Sequence, residues 1–521
     1  MNTDAVAAPP AVFNYAAYLR DLNRERGDKT AYIDDTGSLA YGELFARVAR
    51  FAGALLDAGI RREERVLLLM HDCNDWPVAF LGAIHAGIVP VAVNTLLPVG
   101  DYLYMLQHSR AQAALVSNAL LPTLREALAS GDHQVGTVIV SRAEGGLQDG
   151  EQSFDAVLEA AQTLAEPAAT AADETCFWLY SSGSTGKPKG TVHSHANPYW
   201  TSELYGKGVL GITESDVCFS AAKLFFAYGL GNALTFPLSV GASSVLLAGR
   251  PTPDVIYRRM VEYQPTLFFG APTGYVAMLA AADKPNPEEL SLRLAVSAGE
   301  ALPADLARRF SEYFGIDVID GIGSTEMLHI FISNIPGRVR FNSSGYPVPG
   351  YDIELRGDDD SPVAVGEIGD LYVRGPSAAI MYWNNRAKTR DTFRGEWTKC
   401  GDKYIHNDDG SYTCSGRSDD MLRVSGQYVS PFEVEAALAE HDAVLEAAVI
   451  GVADADGLTK SKAFVVLAEG GQTDAAELQE FVKSRLAPFK YPRFIEFVDE
   501  LPKTATGKIQ RFRLREREAG A

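Results

Sequence analysis

The sequence is poor in cysteine and in positive charge, and it holds no long apolar run. Its five cysteines (Cys73, Cys176, Cys218, Cys400, Cys414) are odd in number, scattered through 521 residues, and form no CxxC pair. Such spacing builds neither a disulfide framework nor a zinc site, so the thiols read as reduced and the compartment as cytoplasmic. No stretch of 18 apolar residues occurs, which argues against a membrane span. Segments such as Val66–Met70 and Ile88–Val93 have only the length of core strands. The opening MNTDAVAAPP lacks the basic and apolar regions of a signal peptide. Lys and Arg number 47 against 67 Asp and Glu, a net charge of −20 that would repel nucleic acid. Any anionic substrate must therefore be met by a local basic site. The remaining balance, 46% hydrophobic and 22% charged, is that of a globular protein with ample chain for a large core.

Along the chain, Thr30–Asp34 predicts a strand. Tyr41–Ala58 predicts a helix, with Leu44, Phe45, Val48, Phe51, Ala52 and Leu55 at helical spacing and Gly59 ending it. Val66–Met70, Trp76–Ala86 and Ile88–Val93 read as strand, helix and strand, and the alternation continues through Tyr102–His108, Ala113–Val116 and Thr137–Val140. Residues 143–174, rich in Ala, Glu and Gly, read as a surface connection. The middle third repeats the texture with strands at Val217–Ala221, Ser243–Leu247, Thr266–Phe269, Leu294–Ser297 and Val318–Ile319. Alternation of this kind predicts an α/β fold with parallel sheets covered on both faces. Ligands then sit beyond the carboxyl ends of the strands, which singles out Lys223–Gly229, Gly270–Thr273, Ser297–Leu302 and Gly321–His329. Residues 352–412 turn strand-rich and predict a small β subdomain. Gly416–Gly426 (GRSDDMLRVSG) then leads into a small α+β unit; its paired aspartates suit a solvated linker, although composition alone favours a surface hairpin. The boundaries are 1–416 for the large N-terminal domain, 417–426 for a hinge region and 427–521 for the C-terminal domain.

The most informative stretch is Tyr180–Gly190, YSSGSTGKPKG, after the apolar run Phe177–Tyr180. Gly183, Gly186 and Gly190 let backbone N–H groups converge, Ser181, Ser182, Ser184 and Thr185 add hydroxyls, and Lys187 and Lys189 add charge. That combination suits an anionic polyphosphate. It is not a Walker A loop, which requires Ser or Thr directly after the lysine. By composition alone a flexible Gly/Ser turn remains open; the order of residues decides, because SSGSTGKPKG resembles the phosphate loop of the adenylate-forming superfamily of acyl- and aryl-CoA synthetases, luciferase and peptide-synthetase adenylation domains.

The resemblance extends to further motifs and implies roles for them. Gly323-Ser324-Thr325-Glu326 is similar to the family's second nucleotide signature. Thr325 would then bond the α-phosphate and Glu326 hold Mg²⁺, a hard cation that prefers carboxylate oxygen. Asp320, Gly321 and Ile322 lead into it, with Ile322 where the family usually has an aromatic over adenine. By residue type alone, a Thr-Glu pair is more often an N-terminal helix cap. Ser297, Ala298, Gly299 and Glu300 resemble the loop against the other adenine face. Asp402 falls where the family aspartate reads both ribose hydroxyls, and Arg417 also reaches ribose. Lys508, in PKTATGK, resembles the C-terminal catalytic lysine that acts with Thr185 and Glu326; its context is one that lysine acetylases and deacetylases read. Asp419 would be the hinge, Gly426 would admit the CoA thiol, and Arg423 would meet adenylate or CoA phosphates.

Lys223–Gly229 aligns with the family's acid-binding loop, with Phe226 where many relatives place a gating histidine. Phe226, Ala227, Tyr228, Gly270, Gly323, His329 and Ile330 would line a flat, mostly apolar slot suited to an aromatic ring. The strings Asn197–Gly206, Ser220–Pro237 and Gly321–Asn334 resemble those of benzoate–CoA ligases, and the likeness runs from the Phe13 region to Arg513. It implies an enzyme that uses ATP, Mg²⁺ and coenzyme A to activate benzoate, an entry step in aromatic acid breakdown, with no nucleic-acid or membrane partner. Ligation of hydroxy-, amino- or fluorobenzoate, loading of a carrier protein, a non-catalytic nucleotide sensor and a homodimer all stay open at this level.

Overall fold

The computed structural model describes residues 6–183, 186–418, 420–424, 427–454, 459–487, 490–503 and 509–519. Two large sheets dominate the N-terminal part. One has eight strands in the order Met381–Tyr382, Gly186–Ser194, Thr175–Gly183, Val89–Ala92, Arg65–Leu69, Ala113–Ser117, Thr137–Ser141, Glu151–Ser153. Its ladders are parallel from Thr175–Gly183 onward and antiparallel on the other side. The second sheet has nine strands. Val217–Ser220, Ser243–Val245, Leu267–Gly270, Leu294–Ser297 and Asp317–Gly323 run parallel at its centre, and antiparallel strands close both edges. Near-continuous Val, Leu, Ile and Phe in these strands is what burial on both faces demands.

Most predicted elements recur within a residue or two, but the strand expected at Val318–Ile319 runs Asp317–Gly323 and the helix around Tyr102–His108 starts earlier, at Val99. The helix Tyr41–Asp57 buries Leu44, Phe45, Val48, Phe51 and Leu55, and Gly59 takes the left-handed conformation (φ 79°) just beyond it. In Asp75–His85 every residue is buried, and Trp76, Phe80 and Ile84 join one core with the helix Tyr41–Asp57. Residues 143–174 are more than a surface connection. Ser153 caps a short helix, Phe154–Ala160, in which Phe154, Val157 and Leu158 are buried and Phe154 stacks on Phe51 at 4.9 Å. The i, i+3, i+4 apolar spacing that dictates this helix is masked by the alanines and glutamates around it.

A smaller five-stranded sheet follows, built from Asp352–Arg356, Ile368–Arg374, Phe393–Arg394, Trp397–His406 and Tyr412–Arg417. Within this stretch Met381–Tyr382 departs to pair with Gly186–Ser194, setting Tyr382 opposite Thr191. The small C-terminal part has its own core around the sheet Val444–Ala453, Thr459–Leu467, Phe494–Phe497. The helices Pro431–Ala439 and Ala475–Lys483 contribute to that core. Among the described residues no helix is long and apolar enough to cross a membrane.

Candidate active site

Thr175–Gly183 and Gly186–Ser194 form a hairpin with Ser181 opposite Lys189 and Gly183 opposite Gly186. The predicted phosphate loop is therefore the hairpin's tip, with Ser182 beside it. Ser184 and Thr185 lie outside the described residues. Lys187 sets its ammonium over the Tyr104 ring at 4.9 Å, and the Tyr104 hydroxyl donates to the Pro188 carbonyl at 3.1 Å. Lys189 lies 4.4 Å over the Tyr382 ring and 3.8 Å from Glu326. Burial holds its pKa below the ordinary lysine value, against the pull of Glu326.

Glu326 sits on the turn between the strands Asp317–Gly323 and Ile330–Ser333. A Cβ on Gly323 would come 2.5 Å from the His329 carbonyl oxygen, so only glycine fits there. The turn is tied from three sides. Ser324 Oγ accepts from Met327 N at 3.1 Å, the Thr325 carbonyl accepts from His193 Nε2 at 2.9 Å, and the Glu326 carbonyl accepts from Ala379 N at 2.7 Å. No helix starts after Thr325, which removes the capping alternative. Burial pushes His193 down to about 4, so it is a neutral donor at pH 7. The Glu326 carboxylate receives the Tyr382 hydroxyl at 2.6 Å and the Ser181 hydroxyl at 3.4 Å.

Ser297 pairs with Asp320 across adjacent parallel strands. Both are buried, and Ser297 Oγ and Asp320 Oδ1 have no partner among the described residues. An orphaned buried polar atom asks for a ligand that satisfies it. Burial pushes the Asp320 carboxyl well above its usual range, opposed by the N–H groups of Leu302 and Gly321. Glu300, on the same side, is among the carboxylates that sustain the charge of Arg511 from the C-terminal part. Asp402 and Arg417 face each other across antiparallel strands and pair at 3.1 Å. Gly401, just before Asp402, has φ 77°, and a Cβ there would come 3.1 Å from the Arg417 guanidinium.

The predicted acid-binding loop is anchored at its start, where both oxygens of the buried Asp72 lie 3.2 Å from Leu224 N. Burial pushes the Asp72 carboxyl up to about 6. Tyr228 donates its hydroxyl to the Val296 carbonyl at 2.9 Å. His329 is buried between Tyr205, Tyr228 and Phe236, with ring centroids at 5.3, 5.6 and 4.5 Å. Its Nε2 lies 3.2 Å from Asn232 Oδ1, while Nδ1 has no partner among the described residues. Burial lowers its pKa to about 3, leaving a neutral ring. Two π-helical turns, Ser202–Lys207 and Gly231–Thr235, flank this histidine, a helix irregularity frequent at functional sites. Gly270 lies at the end of its strand, where a Cβ would meet the Tyr275 ring at 3.0 Å, and Ile330 is buried beside Gly321. Phe226 packs on Phe225 at 4.5 Å, at the start of the short helix Ala227–Leu230.

Asp419, Gly426 and Lys508, and the side chain of Arg423, lie outside the described residues. Their neighbours are informative. Ser418 Oγ donates to Asp370 at 2.7 Å, whereas Asp420 pairs with Arg515 at 2.7 Å and with Arg511 at 3.7 Å. Consecutive anchors thus belong to different parts of the molecule. The sequence reading missed Tyr382, His193 and Asp72, which act by long-range contacts and carry no contiguous motif; Tyr205 and Asn232 fall inside the strings Asn197–Gly206 and Ser220–Pro237 but were given no role.

Residues 19–383 match the AMP-binding enzyme family, and residues 433–508 match the AMP-binding enzyme C-terminal domain. The chain belongs to the AMP-binding enzyme family. It is 54% identical over 521 residues to a benzoate–CoA ligase of Thauera aromatica, covering 99% of this chain and 98% of that one. It is 48% identical over 507 residues to a 4-hydroxybenzoate–CoA/benzoate–CoA ligase of Rhodopseudomonas palustris, covering 96% and 93%. Among solved structures, a benzoate CoA ligase from Burkholderia xenovorans superposes with a TM-score of 0.90 at 56% identity, over 97% of this chain and 100% of that one. An anthranilate CoA ligase in complex with anthranoyl-AMP superposes with a TM-score of 0.92 at 41% identity, over 100% and 99%.

Proposed function

We propose that this chain is an ATP-dependent, AMP-forming benzoate–CoA ligase. The observation that carries the choice of acid is the neutral His329 ring, buried among Tyr205, Tyr228 and Phe236 and bordered by Gly323. An unsubstituted aromatic ring suits a slot walled by aromatic faces and glycines. Full-length identity to benzoate ligases supports the same reading.

In this reading the tip of the hairpin, Ser181–Lys189, orients the triphosphate. Asp320, with its orphaned oxygen, and the loop Ser297–Glu300 take the adenine; Asp402 and Arg417 take the ribose. The Glu326 carboxylate would hold Mg²⁺, which supplies positive charge against the phosphates when bound. The benzoate carboxylate attacks the α-phosphorus; an O–P bond forms as the bond to pyrophosphate breaks. Thr185 and Lys508 stabilise charge at that centre, which is where preorganised donors contribute most. The CoA thiol then gives up its proton and attacks the acyl carbon, and AMP leaves. A hinge at Asp419, within 417–426, lets the domain 427–521 present Lys508 first and the Arg423–Gly426 face second; the split anchoring of Ser418 and Asp420 supports it. The reduced thiols support a cytoplasmic setting, and acetylation of Lys508 would remove the charge that this chemistry needs.

A second reading concerns ring substituents. Among the described residues His329 Nδ1 is a buried acceptor without a partner, and an amino or hydroxyl group on the ring would satisfy it. Pyrophosphate and AMP release, measured with a panel of carboxylates with and without CoA, tests both. Benzoate-led turnover that requires CoA is the expected result. Preference for 2-amino- or hydroxybenzoate would move the assignment to the second reading. Pyrophosphate release without CoA-dependent turnover would indicate a carrier-protein thiol as acceptor.

A further inference from the structure

Among the described residues, every contact to the Glu326 carboxylate falls on one oxygen. Oε1 accepts from the Tyr382 hydroxyl at 2.6 Å and from Ser181 Oγ at 3.4 Å, and Lys189 Nζ stands 3.8 Å away. The 2.6 Å bond lies in the short range of a hydroxyl donating to a carboxylate, roughly twice as strong as a neutral bond. From this we infer that Tyr382 is a positioning residue for the metal-binding carboxylate: it fixes Oε1 and leaves Oε2 for the divalent cation that accompanies the triphosphate. The inference rests on the reading of Glu326 as the Mg²⁺ ligand.

Backbone pairing explains how Tyr382 comes to do this. Met381–Tyr382 leaves the β subdomain to add a strand beside Gly186–Ser194, and Thr175–Gly183 lies on the other side of that strand. One edge of the eight-stranded sheet therefore carries Ser181, Lys189 and Tyr382, the three described groups that meet Oε1. Tyr382 also serves Lys189, whose ammonium lies over its ring at 4.4 Å and 3.3 Å from its hydroxyl. Without nucleotide, Lys189 balances the Glu326 charge. Once a triphosphate draws the ammonium away, Tyr382 and Ser181 are the described donors that still hold the carboxylate in place.

Tyr382→Phe keeps the ring over which Lys189 sits and its packing on Phe393 at 5.4 Å, and removes only the hydroxyl. Two measurements test the role, run on Tyr382→Phe and Glu326→Gln together. One is the Mg²⁺ dependence of pyrophosphate release. The other is binding of Mn²⁺ with a non-hydrolysable ATP analogue, followed by loss of the free-ion electron paramagnetic resonance signal. Loss of one charge-assisted hydrogen bond should weaken Mn²⁺ binding and raise the Mg²⁺ half-saturation roughly tenfold in Tyr382→Phe. The KM for benzoate should hold within about twofold, as befits a residue that acts on the metal ligand alone. Unchanged Mn²⁺ binding in Tyr382→Phe, with Glu326→Gln clearly weakened, would overturn the role of Tyr382 and leave the metal reading standing. Unchanged binding in Glu326→Gln would overturn the metal reading itself. An equal loss in Mn²⁺ binding and in the benzoate KM would reduce Tyr382 to a general structural residue.

Discussion

Gly231→Ala is a one-carbon probe of the acid pocket. Gly231 opens a π-helical turn, and a Cβ built there would lie 2.3 Å from His329 Cδ2, 2.6 Å from His329 Nε2 and 3.0 Å from the tip of Phe236. Carbon atoms rest at about 3.5 Å, so the imidazole has to retreat by about 1 Å. It has nowhere to go without cost, because Tyr205, Tyr228 and Phe236 pack around it and Nε2 is committed to Asn232. Overpacking of this kind costs about 1–3 kcal/mol of stability. A 1 Å displacement of a group that positions substrate lowers the rate by up to about 100-fold. The expected result is a tenfold or larger fall in kcat/KM for benzoate and a lower denaturant midpoint, with the KM for ATP unchanged, since the nucleotide residues lie on other loops. The assay is steady-state pyrophosphate release with benzoate and ATP varied in turn, beside a urea titration. A variant with wild-type stability and wild-type benzoate kinetics would refute the argument. It would mean either that the wall yields freely or that His329 does not shape the pocket.

Two other predictions follow from different parts of the molecule. Lys508→Ala should abolish formation of benzoyl-AMP while sparing thioester formation from supplied benzoyl-AMP; loss of both half-reactions would contradict the division of labour proposed for the C-terminal domain. Another buried histidine, His195, accepts from Tyr15 N at 3.2 Å and is lowered from 6.5 to about 4, mainly by burial. A histidine with a depressed folded pKa contributes stability above pH 6.5 that is lost as pH falls through 4. Linkage puts the loss between pH 7 and pH 5 at about 2 kcal/mol. His195→Gln, which keeps an acceptor, should flatten the pH dependence of the urea midpoint by that amount, and an unaltered slope would count against it.

Much of the architecture was legible because it is local. Strands such as Thr30–Asp34 and Leu294–Ser297 are built on short apolar runs, Ala31–Ile33 and Leu294–Val296, and a β-strand needs little more to declare itself. The helix Phe154–Ala160 was missed because its three apolar residues are embedded in a stretch whose composition resembles a linker, and only the packing of Phe154 on Phe51 shows which signal mattered. The candidate site divides in the same way. Its contiguous motifs, the glycine loop and the Gly323–Glu326 turn, could be picked out as candidates because their glycines and hydroxyls are adjacent and their order resembles that of a known family.

The groups that support those motifs left no such trace, and the reason is physical. Tyr382 reaches Glu326 across 56 positions, Asp72 reaches Leu224 across 152, and His193 reaches the Thr325 carbonyl across 132. A hydrogen bond needs one donor and one acceptor, not a pattern, so before folding each of these residues is indistinguishable from the chain's other tyrosines, aspartates and histidines. Periodicity constrains which faces are buried; it says nothing about which buried polar group a given strand end will meet. The pairing of Met381–Tyr382 with Gly186–Ser194 is the decisive case. Two residues of strand, too short to be read from sequence, bring the phenol to the carboxylate and so determine which oxygen of Glu326 remains open.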